Sequence, residues 1–107
     1  MIELMLEAER ALVSGRLDQA ERLYWQAVES DARNAIAIVG LARVALERGD
    51  ERTAGEFARR AVALDPENAV ALRLDARLAR SRVGDGAAGG PGAVGGPGAV
   101  GRAREPR

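Results

Sequence analysis

The chain has 107 residues, 47% of them hydrophobic, with sixteen basic residues balanced by sixteen acids and with neither Cys nor His. That length allows one domain at most and a small core, while the missing Cys and His exclude disulfides, thiolate nucleophiles, imidazole bases and the usual zinc ligands. The neutrality conceals a gradient, with nine Arg against thirteen acids in residues 1–68 and seven Arg against three acids in residues 69–107.

After Met1 come Glu3, Glu7 and Glu9, where a secretory signal would carry bases before an apolar run. No stretch approaches the roughly 20 apolar residues that span a bilayer, so the expected address is the cytoplasm. Residues 2–13 follow a 3.6-residue period, with Ile2, Met5, Leu6, Leu12 and Val13 on one side and Leu4, Ala8 and Ala11 on an adjoining one. This predicts a helix that Gly15 stops, because a residue without Cβ takes the left-handed turn at no steric cost. Asp18 is the expected cap of the next helix, which turns Ala20, Leu23, Tyr24, Ala27 and Val28 inward and Trp25 outward.

The signals then recur. Ile38, Leu41, Ala42 and Ala45 form an apolar stripe, Gly49 and Asp50 a turn, and Ala54, Phe57, Ala58, Ala61, Val62 and Leu64 a second stripe that Asp65 and Pro66 end. A further helix runs from about Ala69 to Arg82, with Leu72, Ala76 and Ala79 in register with Leu4, Ala8 and Ala11. From Gly84 the composition changes: GGPGAV occurs at 89–94 and again at 95–100. So little bulky apolar surface cannot offset the entropy of ordering, and residues 84–107 are expected to be a disordered Gly-rich tail.

Set against the residue 34 positions later, ten residues of the first unit are identical in the second: Ile2, Ala8, Ala11, Leu12, Gly15, Ala20, Ala27, Val28, Asp31 and Asn34. That period, the Gly turns and the small residues between paired helices resemble the tetratricopeptide repeat. The fit is best through Leu41, Ala42, Gly49, Asp50, Ala54, Ala61, Leu64, Asp65 and Pro66; unit one departs at Glu7, where the family has a large apolar residue, and at Ala32, where it has Pro. The resemblance implies an all-α fold, a short solenoid of antiparallel helical hairpins: repeat 1 at 1–34, repeat 2 at 35–68, a capping helix or partial third repeat at 69–83, then the tail at 84–107. Small residues let hairpins nest where backbones approach.

No catalytic constellation can be assembled, since the carboxylates fall at solvent-facing positions and caps, and no cofactor is expected. The resemblance instead implies a scaffold whose first helices line a concave groove for a peptide or partner helix. Carried over by position, the partner-binding residues are Ile2, Met5, Glu9 and Leu12, then Ile36, Val39, Arg43 and Leu46, then Val70, Arg73, Arg77 and Arg80. That groove is apolar at one end and cationic at the other, suiting a protein partner with an acidic segment. Two other readings stay open: the apolar residues close a core or a homodimer seam, or Arg side chains bind nucleic acid, which neutrality and only three aromatic residues disfavour.

Overall fold

The computed structural model describes residues 2–89, with side-chain surroundings through Ser81. Five helices follow in order, α1 Ile2–Val13, α2 Leu17–Ser30, α3 Ala35–Glu47, α4 Glu51–Leu64 and α5 Ala69–Gly89, with no strand among the described residues. None is long and apolar enough to cross a membrane. The chain divides into a first unit, Met1–Asp75, and a second that begins at Ala76, inside α5.

Identical positions in the 34-residue register build identical joints. At the first turn, the Arg16 N–H donates to the Ala11 carbonyl at 2.8 Å and the Gly15 N–H to that of Leu12 at 3.1 Å; at the second, Asp50 donates to Ala45 and Gly49 to Leu46, both at 2.9 Å. Both satisfy carbonyls that a helix end leaves bare. The geometry needs a left-handed residue, and Gly15 and Gly49 supply it with φ of +81° and +80°. The links between hairpins repeat as well. Asn34 accepts the Ala37 N–H at 3.0 Å and Asn68 accepts that of Ala71 at 3.0 Å, each capping a helix. Three residues earlier, the carboxylates of Asp31 and Asp65 accept the N–H groups of Arg33 and Glu67, the side-chain turn that suits Asp there.

The core of the first unit follows from which stripes face inward. Ala8, Ala11, Ala20 and Ala27 are fully buried in the first hairpin, and Ala42, Ala54, Ala58 and Ala61 in the second. With Cβ as the only side-chain atom, paired helices close on one another. α3 lies between α2 and α4, and nine of its thirteen residues are buried, so its sequence is apolar almost all round. α1 is two-sided: Ala8, Ala11 and Leu12 are buried, whereas Ile2, Leu6 and Val13 are exposed.

Three expectations change. α2 is capped at Arg16 without a side-chain bond; Asp18 lies two residues too late to cap and instead binds Arg48. Leu12 belongs to the core, at 7% exposure, because its angular position on α1 falls beside Ala8 and not beside Ile2. The last helix continues six residues beyond Val83 to Gly89. Ala87 and Ala88 favour helix, Gly84 and Gly86 weaken it by only about 1 kcal/mol each, and Pro91 is the first residue that would break it. The rest of the expected tail lies outside the described residues. In the second unit, Leu78 is buried while Arg77 and Arg80 are exposed.

Candidate functional site

A cavity of about 600 Å³ opens in the first unit, walled by Ile2, Met5, Leu6 and Glu9 of α1 and by Ile36, Val39, Gly40 and Arg43 of α3. Tyr24 closes it beneath, and Asn34, Asn68 and Val70 complete the rim. The walls are equivalent positions of the register: Ile2, Ile36 and Val70 stand 34 apart, as do Met5 and Val39, and Glu9 and Arg43. First helices of successive hairpins therefore turn the same face to one concavity.

Its polar floor is already paired. Arg43 Nη1 donates to Glu9 Oε1 at 2.9 Å and Nη2 to Oε2 at 3.2 Å, a two-pronged bond across α1 and α3. Planar guanidinium and carboxylate match in that geometry, which makes it stronger and more directional than a single contact. The Tyr24 hydroxyl donates to Glu9 Oε1 at 3.2 Å. Burial first, then the Glu9 charge and this bond, push the Tyr24 pKa from 10.0 up to about 12, with Arg43 pulling the other way.

Gly40 makes this floor possible. A Cβ there would stand 2.3 Å from Tyr24 Cε1 and 2.4 Å from Cζ, far inside van der Waals contact. The Tyr24 ring thus lies directly on the backbone of α3, with its hydroxyl brought to Glu9. The 34-residue comparison holds a signal for this, since Leu6 is replaced by Gly40 in the middle of an apolar helix where Gly has no propensity to recommend it. The residue it receives, Tyr24, is not legible from spacing.

Of the residues expected to bind a partner, Ile2, Met5, Glu9, Ile36, Val39 and Arg43 meet around this cavity, with Val70. Leu12 is in the core. Leu46 is half-buried at the far end of α3, and Arg73 is exposed on α5; neither lines the cavity. Arg77 and Arg80 belong to the second unit. Arg43 is not a free cation awaiting an acidic partner, because Glu9 occupies both prongs of its guanidinium. The cavity's remaining surface is aliphatic, apart from two Asn whose oxygens cap helices.

Outside the cavity, Trp25 meets Phe57 edge to face, ring centres 5.9 Å apart at 69°. That joins the second helices of the two hairpins through the preferred aromatic geometry. Arg48 reaches back from the α3 end to Asp18 and to Glu21, the latter at 2.9 Å, a second tie between hairpins. Among the described residues no cluster of carboxylates is placed to hold a metal ion. No family model, curated protein or solved structure matches the chain.

Proposed function

We propose that this chain is a non-catalytic, tetratricopeptide-like adaptor that holds an apolar segment of a protein partner in the groove between α1 and α3. The observation that carries the reading is the cavity itself: aliphatic walls contributed by equivalent positions of successive hairpins, over a floor whose charges are internally neutralised. A carboxylate would have to compete with Glu9 for the guanidinium of Arg43, whereas an aliphatic side chain resting on the walls leaves that pair intact. Ile36 is 63% exposed at the lip, so covering it contributes hydrophobic free energy that folding has not already taken.

The test uses that residue. After capture of a partner by in-cell crosslinking, its affinity for the chain is measured by titration calorimetry. Ile36→Glu places an unpaired charge on the lip without entering the core, and is expected to weaken binding at least about tenfold with an unchanged melting temperature. Arg59→Glu, on an exposed stretch of α4, is expected to bind as the parent does. Binding should carry a negative heat-capacity change. Equal affinities for Ile36→Glu and the parent would remove the groove as the site.

A further inference from the structure

We infer that a second copy of this chain docks on the exposed face of α1 that carries Ile2, Leu6 and Val13, forming an antiparallel helix pair about a two-fold axis near Leu6. Three large aliphatic side chains there stay half or more exposed: Ile2 at 74% exposure, Leu6 at 51% and Val13 at 75%. At 100° per residue they fall within about 40° of one another on the helix surface, a single stripe on the side of α1 away from Ala8 and Ala11. Scattered exposed aliphatics are ordinary, but a straight file of three along one helix marks a contact surface.

Charge selects the occupant and its direction. Glu3 and Arg10 are exposed, lie on the same flank of the stripe seven residues apart, and make no ion pair with another side chain among the described residues. In an antiparallel two-fold pair, like flanks face each other. Setting Glu3 of one copy level with Arg10 of the other makes two symmetric ion pairs. That register also brings Leu6 within one residue of Leu6 of the second copy, about 1.5 Å along the axis, and Ile2 within two residues of Val13, about 3 Å. Apolar and charged pairings thus ask for the same register. A parallel pair would instead turn Arg10 toward Glu9, which Arg43 already holds.

One pair of 12-residue helices buries less than the roughly 1,600 Å² of a standard interface, so the dimer is weak and reversible. Ile2 and Leu6 also line the groove, and the test therefore rests on Glu3, Arg10 and Val13, which do not. Its outcome stands whether or not the groove binds a partner.

Sedimentation equilibrium of the full chain at low salt is expected to show monomer and dimer exchanging with concentration. Glu3→Arg and Arg10→Glu each set like charges face to face and should each weaken self-association at least about tenfold. Mixed in equal amounts, the two variants should pair with each other about as well as the parent does with itself, since every Arg again meets a Glu. Loss of folding is not repaired by mixing, so recovery is specific to the seam. Val13→Asp should abolish association in any combination. A parent that stays monomeric at all concentrations, single variants that dimerise like the parent, or a mixture no better than its components would each overturn the proposal.

Discussion

The hairpins α1–α2 and α3–α4 turn at Gly15 and Gly49 with φ of +81° and +80°, and are followed by Asp and Asn at the same two positions of each link. Their groove faces agree at the aliphatic lip, Ile2 with Ile36, but not at the floor: Leu6 becomes Gly40, Glu9 becomes Arg43 and Tyr24 becomes Ala58. At the turns and links, the matched positions are those where backbone geometry leaves one or two residue types able to serve. The mismatched ones meet each other. Arg43 grips Glu9, and Tyr24 lies on Gly40, so the floor of the groove is made from positions at which the two units differ. Identity here thus marks how the chain turns and where paired helices close, and difference marks where the two hairpins meet across the groove floor.

The largest expected effect comes from erasing one such difference. Gly40→Ala gains up to about 1 kcal/mol of helix propensity, but its Cβ would lie 2.3 Å from the Tyr24 ring, and moving that ring breaks the packing of a buried side chain and its bond to Glu9. Overpacking of this kind costs about 1 to 3 kcal/mol or more. The steric term wins, and a net loss of about 2 kcal/mol corresponds to a melting temperature lower by roughly 10 °C in a domain of this size. Combining it with Tyr24→Ala should cost less than the two separate losses together, because the clash is gone. Additive losses in denaturant unfolding would mean that Tyr24 and Gly40 are not in contact.

Tyr24 also gives the first hairpin a pH dependence that the second, with Ala58, lacks. A tyrosine is charged when deprotonated, so a pKa of about 12 in the fold against 10.0 unfolded means that the folded state holds its proton where the unfolded state has lost it. Stability is therefore intact below pH 10 and falls between 10 and 12, by on the order of 2 kcal/mol. The window is clean: the chain has one Tyr and no Cys, and all sixteen of its bases are Arg, which do not titrate there. Urea midpoints measured from pH 9 to 12 should decline for the parent and stay nearly flat for Tyr24→Phe. A parallel decline in both would place its cause elsewhere.

Helices, turns and the hairpin order were legible because they depend on local rules: a 3.6-residue period, a glycine where φ must be positive, an Asn where a helix begins. α5 runs past its expected end because Ala87 and Ala88 favour helix even inside a low-complexity stretch. The groove was legible in outline, as Ile2, Met5, Ile36 and Val39 show, since register alone assigns a face. Its chemistry was not. Whether Arg43 is a free cation depends on Glu9, 34 residues away, and on a rotamer that no spacing reveals. Leu12 and Leu46 are identical in the register yet only Leu12 is buried, because burial depends on neighbours that the two hairpins do not share.

The smallest effect sharpens the comparison from the side of agreement. At both Gly15 and Gly49 an added Cβ would meet nothing within 4 Å, so Gly→Ala there carries no steric term from the surroundings. What remains is the cost of a positive φ for an L-residue, roughly 1 to 2 kcal/mol, partly offset because Ala restricts the unfolded chain. The two costs should be equal within about 0.5 kcal/mol, although one turn follows the half-exposed α1 and the other the buried α3. Gly→Asn should be milder than Gly→Ala at each, since Asn enters the left-handed region more readily. A markedly dearer Gly49→Ala in chemical denaturation would show that the turn shares the load of the surrounding core, and that matched residues in this repeat are held by their neighbours as well as by their own backbone.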